Sequence, residues 1–354
     1  MSISCWYLQN GVYMDHTHLG YRVAPCCQYS SDEIITVERP EDISNHSLIK
    51  KIKTDFENDI KHSGCKLCWN NENITKESYR TRIPKISPKG KYENWDIRPS
   101  NICNIKCVMC RPECSSKWYE DIDIFSKYRG GKNIIEKLQS KKEFDWDYVK
   151  THAPNNAYSI YIAGGEPLYD KKVFDFINYL SNFDWNLKNT WLRFNTNGIS
   201  YTDKWDTVLS KFEKVFFIVS MDGLNEVDEY IRFPTNYNEK LKQMKIFSKR
   251  ENYHYGVNAT ISALNFPNIN SQIKKYYRRI GLNTLTDPDF LHINSLKPKI
   301  IEKVKKSATN PYIIDMANNY KYNDENNKKM KAYLQDLDKK RNTNSKSALP
   351  WCWK

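Results

Sequence analysis

No apolar run in this 354-residue sequence reaches the length needed to cross a bilayer, which sets aside a helical membrane protein. No secretory leader is legible at the amino terminus, so the chain is expected to be soluble and cytoplasmic, where thiols stay reduced and disulfides are not expected. No internal repeat of solenoid type is present. Acidic residues fall short of basic ones, 42 against 55, and the formal net charge is +13. A basic excess can mark a nucleic-acid surface. Here the lysines are dispersed or gathered towards the carboxy terminus, at helical and loop positions where solvated faces explain them. Tyr276-Tyr-Arg-Arg279 is basic and aromatic, yet it also suits the end of a helix.

What is present begins with cysteine. Cys103, Cys107 and Cys110 are spaced C-x3-C-x2-C. Three thiolates hold three irons of a 4Fe-4S cluster and leave the fourth iron open to a small molecule, whereas structural clusters take four. On spacing alone, a zinc knuckle with a distant fourth ligand or plain core cysteines are the alternatives.

The segment Ala157–Ala163 reads as a buried strand that runs into Gly164-Gly165-Glu166-Pro167. Paired glycines at a strand end let a ligand approach the backbone, and Pro167 holds Glu166 extended. Three further strands end in polar turns: Thr190–Asn195 before Thr196-Asn197-Gly198, Val215–Ser220 before Met221-Asp222-Gly223, and Tyr255–Ile261 before Ser262. Helical stretches at 171–183, 204–212 and 237–250 separate them. This alternation argues for a parallel α/β sheet, which places its ligands at strand carboxyl ends. Asn258 and Thr260, two apart, share one face of their strand.

In this order the cysteine triplet, Gly-Gly-Glu-Pro, Thr-Asn-Gly and Ser-Met-Asp-Gly resemble the motifs of radical S-adenosylmethionine enzymes. The resemblance covers residues 93–290 and implies a partial (β/α)6 barrel with its cluster in the loop after the first strand, Trp95–Arg98. Met109 stands where that family usually has an aromatic residue. The resemblance implies that the methionine amine and carboxylate of S-adenosylmethionine chelate the open iron. One-electron reduction then gives a 5′-deoxyadenosyl radical that abstracts hydrogen from substrate. It further implies that Gly164, Gly165, Glu166 and Pro167 lie along the methionine amine, with Asn197, Ser220 and Asp222 towards ribose and carboxylate. Arg232 is expected as a carboxylate partner, since its guanidinium suits a bidentate pair. For each polar strand-end residue, a satisfied turn or cap is the plainer alternative.

Residues 1–92 carry Cys5, Cys26, Cys27, Cys65 and Cys68 but no long core pattern, so a metal is the natural staple for so small a unit. Cys65-Lys-Leu-Cys68 after Gly64 reads as a metal knuckle, and Cys5, Cys26, Cys65 and Cys68 make a four-thiolate set. The arrangement resembles the twitch and SPASM modules, which bind a second 4Fe-4S cluster; those usually follow the barrel, whereas these cysteines precede it. Cys27 in place of Cys26, Cys352 in place of Cys5, and zinc in place of a cluster remain open.

The expected division is therefore a cysteine-rich domain over 1–92, the barrel over 93–290 and a helical, lysine-rich extension over 291–354. The first boundary is expected within Thr81–Glu93, and Gly130–Asn156 is expected as a loop or short helical insertion. The resemblance implies a peptide, protein or small polar substrate and an external one-electron donor of flavodoxin or ferredoxin type. A tRNA- or nucleobase-modifying enzyme and a non-catalytic metal-binding barrel are the other readings. No cobalamin-binding domain is recognisable. Cys114 is either a hydrogen-returning thiol or a half-buried helix-start residue, and Cys352 either a late ligand or an anchor for the tail.

Overall fold

The computed structural model describes residues 3–31, 33–81, 93–131, 133–182 and 190–354. The chain divides into two compact units. The first comprises Met1–Ser100, Glu136–Phe194 and Thr202–Phe216, the second Asn101–Ile135, Asn195–Tyr201 and Phe217–Lys354. The boundary expected within Thr81–Glu93 falls on 82–92, outside the described residues.

In the first unit the strands are β1 (Gly11–Thr17), β2 (Gly20–Arg22), β3 (Thr36–Val37), β4 (Glu93–Arg98), β5 (Ala157–Ile162) and β6 (Trp191–Thr196, within this unit to Phe194). Their order is β3-β2-β1-β4-β5-β6. The β1, β4, β5 and β6 strands are mutually parallel, and β2 and β3 add an antiparallel edge. Side chains alternate with period two. Trp95, Ile97, Ile160, Ile162, Leu192 and Phe194 therefore share one face, and none is more than 1% exposed. The helix Lys171–Ser181 contributes buried Val173, Phe176, Ile177 and Leu180, the i, i+3, i+4, i+7 stripe of a core-facing helix. Asp170 caps it by accepting from the Lys172 amide at 2.9 Å. Trp205, on the helix Asp203–Leu209, stands edge-on to Phe174 and Phe194.

One expectation is corrected here. The amino-terminal residues do have a core: Leu8, Tyr13, Val23, Tyr29, Ile49, Ile52, Phe56 and Trp69 cluster together. The helix Ser47–Glu57 supplies Ile49, Ile52 and Phe56 at helical spacing, and β1 joins the sheet beside β4 rather than standing apart.

The second unit takes up β7 (Lys214–Ser220) from Phe217 and continues with β8 (Tyr253–Ile261) and β9 (Ile280–Thr284), in the order β7-β8-β9. The β8 and β9 strands run parallel. Phe247, on the helix Tyr237–Phe247, stacks on Phe217 with ring centroids 3.9 Å apart. Lys240 on that helix pairs with Asp228, both wholly buried, and also reaches the Ser220 carbonyl at 3.3 Å. Burial pulls the Lys240 ammonium below its usual range while Asp228 raises it. The carboxy-terminal helix Asp324–Arg341 buries Met330, Tyr333, Leu334, Leu337 and Arg341 along one stripe. Among the described residues no helix is long and apolar enough to cross a membrane.

Removing one partner of a buried pair strands the other charge. Lys240→Met is expected to destabilise the protein by about 3–5 kcal/mol in urea unfolding. A loss below about 1 kcal/mol would show that Asp228 is neutral or hydrated in the folded state.

Candidate functional site

The cysteine triplet lies in the second unit, on a loop whose backbone is tied at nearly every residue. The Lys106 and Val108 amides donate to the carbonyls of Phe233 and Ile231, at 2.6 and 2.7 Å. The Ile105 carbonyl accepts from Ser115 Oγ at 2.6 Å, that of Cys107 from Trp118 Nε1 at 3.0 Å, and that of Val108 from Tyr333 Oη at 2.8 Å. Arg129 Nη1 donates to the Cys110 carbonyl at 2.6 Å. Beneath the loop, Asp121 is shared by Lys106 Nζ at 2.9 Å and Arg341 Nε at 2.7 Å. A buried loop needs such partners for its polar groups.

Cys107 is buried, Cys103 and Cys110 half-buried, and Cys114 exposed. Cys110 is held well above the ordinary thiol value by its hydrogen bond with Cys114, then by burial and by Cys107 and Cys103 nearby. Burial also raises Cys107, and the Arg232 guanidinium pulls it back. That guanidinium stands 3.7 Å from Cys107 Sγ and forms an ion pair with Asp222 Oδ2 at 2.8 Å. The other Asp222 oxygen accepts from the Thr260 amide at 2.7 Å, and burial raises the Asp222 carboxyl. The carboxylate partner that Arg232 finds in this structure is thus Asp222.

Asn197 works as a turn residue. Its Oδ1 accepts from the Ile199 amide at 3.0 Å, and its Nδ2 donates to Asn104 Oδ1 at 2.7 Å, within the cysteine loop. Ser220 is 7% exposed at the end of β7. Asn258 and Thr260 share the half-buried face of β8, opposite buried Val257, Ala259 and Ile261. Cys352 is buried, and its sulfur and Trp351 Nε1 both reach the Ala263 carbonyl.

In the first unit, Gly164 and Gly165 adopt φ of +86° and +54°. A Cβ on Gly164 would stand 3.1 Å from the Ser100 carbonyl oxygen, so this close turn after β5 requires glycine. Glu166 is 1% exposed, and its Oε1 accepts from the Leu168 amide at 3.1 Å.

Cys5, Cys26, Cys65 and Cys68 line one cavity of the first unit, together with Tyr29, Phe56 and Arg80. Cys65 ends a short turn of 3-10 helix and Cys68 lies in the first turn of the helix Lys66–Thr75, so the pair flanks a helix start. A Cβ on Gly64 would collide with the Tyr29 ring at 2.2 Å. Arg80 fastens the chain end beside Cys5: its Nη1 donates to the Ser4 carbonyl at 2.6 Å while Nη2 pairs with Glu72 at 2.7 Å. Burial raises the Cys65 thiol to about 12, with Cys5 and Cys68 adding to the rise, and pushes Cys26 well up. Raised values keep these thiols protonated, and a bound cation would favour their thiolate forms. Cys27 differs from these four: its thiol faces Asp96 and is raised to about 11 by burial and that carboxylate. Among the described residues no set of three or more His, Cys, Asp or Glu side chains stands ready to hold a metal ion.

Strand-end reasoning missed a row of side chains across the first unit's sheet. Tyr13, Asp96, Tyr161 and Arg193 face one another in register on β1, β4, β5 and β6. The alternation Asp-x-Arg, Ser-x-Tyr and Trp-x-Arg in these strands was the available signal.

No protein-family model matches the sequence, and no curated protein does. Among solved structures the chain is similar to anSMEcpe with bound AdoMet and Cp18Cys peptide, with 19% identity over 64% of this chain and 61% of that one and a TM-score of 0.40. It is also similar to Streptococcus suis SuiB bound to precursor peptide SuiA, with 14% identity, 89% and 55% coverage and a TM-score of 0.35. A third is TYW1 with a lysine-pyruvate adduct bound, with 16% identity, 74% and 88% coverage and a TM-score of 0.36. The chain spans less than two thirds of the length of the first two.

The raised Cys65 value sets a pH dependence. In metal-free protein the folded state keeps a proton there that the unfolded chain releases above pH 9.0. This contribution to stability is complete below that pH and is lost as pH rises towards about 12. Urea midpoints of metal-free protein are expected to fall above pH 9.0 less steeply in Cys65→Ser than in wild type. Identical slopes would mean that Cys65 is not desolvated.

Proposed function

We propose that the chain is a radical S-adenosylmethionine enzyme that abstracts hydrogen from a peptidyl or small polar substrate. The observation that carries this reading is the cysteine loop: three thiols near one another on a backbone fixed by the side chains of Ser115, Trp118, Arg129 and Tyr333. Bound to Cys103, Cys107 and Cys110, a 4Fe-4S cluster with one open iron supplies the one-electron reduction of S-adenosylmethionine. The chain's own residues do the rest. The hydrogen bonds to the loop carbonyls hold the backbone that carries the thiols. Arg232, held by Asp222, offsets negative charge at Cys107. Gly164 and Gly165, at positive φ, present backbone rather than side chain to a ligand. By resemblance they serve the methionine amine with Glu166 and Pro167, while Ser220 and Asn197 are assigned to the ribose side. Asn197 also fixes Asn104 beside Cys103.

Residues 1–92 are assigned a second cluster on Cys5, Cys26, Cys65 and Cys68, for electron relay or support of the fold. Four thiols lining one cavity match the ligand number of a 4Fe-4S cluster, with zinc the alternative occupant of the same four sulfurs. Residues 93–290 and 291–354 then form the barrel and its helical extension, and a small electron-transfer protein supplies the electron.

Anaerobically reconstituted protein with a strong reductant is expected to release 5′-deoxyadenosine from S-adenosylmethionine, and Cys107→Ala is expected to release none. Equal release from both proteins would remove the reading. Cys65→Ala combined with Cys68→Ala is expected to lose about half of the bound iron while keeping S-adenosylmethionine binding. Zinc in place of that iron in wild type would assign the amino-terminal site to zinc.

A further inference from the structure

The row across the first unit's sheet holds more positive charge than its own acids balance. Tyr13 pairs in register with Asp96, Asp96 with Tyr161, and Tyr161 with Arg193. Arg98 stands two residues beyond Asp96, hence on the same face. Arg98 pairs with Asp96 at 3.2 Å and keeps 26% of its side chain accessible. The Tyr161 ring is contacted by two guanidiniums, Arg193 at 4.8 Å and Arg98 at 5.9 Å from its centroid. Asp15 accepts from Tyr13 Oη at 2.9 Å and is matched by Arg22 at 4.0 Å. That leaves one carboxylate, Asp96, for two guanidiniums.

Arg193 is the group left over. Its ionisable neighbours are the hydroxyls of Tyr79, Tyr7 and Tyr161, not an acid. Its Nε is buried without a hydrogen-bond partner, and so is the Ser159 hydroxyl on the same face of β5. An unmatched buried charge and an unpartnered donor are both costly, and a bound anion removes both costs. The excess is a single positive charge, which a monoanion balances and a dianion overshoots. A guanidinium edge also matches a carboxylate in two parallel hydrogen bonds.

We propose that this row binds a carboxylate of the substrate, with Arg193 as its principal partner, Arg98 as the second cation and the Ser159 hydroxyl as a further donor. The substrate of the proposed enzyme is then an acid: a peptide presenting an acidic side chain or free carboxy terminus, or a small carboxylic acid. This assignment rests on the radical-enzyme reading only for the word substrate; the anion site stands on the row itself.

The test is calorimetric titration of the full-length reconstituted protein without S-adenosylmethionine, using N-acetylglycine, N-acetylglycinamide and inorganic phosphate as probes. N-acetylglycine is expected to bind, and the amide to bind roughly tenfold more weakly or worse. Arg193→Gln is expected to weaken the acid by roughly tenfold or more, with Arg193→Lys, which keeps the charge and loses the fork, in between. Melting temperatures check that each variant is folded, and Arg193→Lys carries the test should Arg193→Gln fail to fold. Failure of N-acetylglycine to bind, equal binding of acid and amide, preference for phosphate, or indifference to both substitutions would overturn the proposal. Cleavage of S-adenosylmethionine plays no part in this titration, so loss of the radical-enzyme reading and loss of the carboxylate site give separate results.

Discussion

Asp121 is the constraint on which the cysteine loop depends. It is 1% exposed, and its two oxygens are divided between Lys106 of the loop and Arg341 at the end of the carboxy-terminal helix. A lone carboxylate at that depth would be expelled or neutralised. With two cations it becomes a fixed point joining the loop to a helix hundreds of residues later. The Arg341 guanidinium also lies 4.8 Å from the Trp118 ring, whose indole N–H holds the Cys107 carbonyl. The loop is therefore braced by charges and rings packed against it.

The amino-terminal thiols are held by a different device. Steric fit replaces ion pairing at the knuckle, where Gly64 lies against the face of Tyr29 and no side chain fits between them. Arg80 then ties the chain at Ser4 to Glu72 on the helix that carries Cys68, while stacking on Trp69 at 4.9 Å. Burial disfavours the thiolate forms of Cys5, Cys26 and Cys65, and a metal bound there would release their protons and couple the site to folding.

What was legible in the sequence is what is local. The triplet needs only its own spacing, and the strand–helix alternation from β5 onwards shows in period two giving way to period 3.6. Within the helical extension expected over 291–354, the helix Asp324–Arg341 starts where the Asn323 side chain accepts from the Asn326 amide. The remainder depends on partners far along the chain. Tyr333 lies 225 residues from the carbonyl it holds. Nothing near Tyr333 distinguishes it from a core tyrosine. The row on β1, β4, β5 and β6 depends on register, which a one-residue slip would reverse and which no single strand encodes. Asn197 and Arg232, expected towards a ligand, bond to Asn104 and Asp222 in this structure; turn chemistry and ion pairing use the same residue types as ligand binding, so sequence alone does not separate the two roles.

The central claim is that the loop of Cys103, Cys107 and Cys110 holds a cluster with one iron open to S-adenosylmethionine. Mössbauer spectroscopy of protein reconstituted with iron-57, in a Cys65→Ala and Cys68→Ala background that leaves the loop alone, tests it most directly. Addition of S-adenosylmethionine is predicted to shift one iron of the four to a higher coordination number while three stay as they were. A spectrum in which all four irons are equivalent and indifferent to the added cofactor would contradict the account.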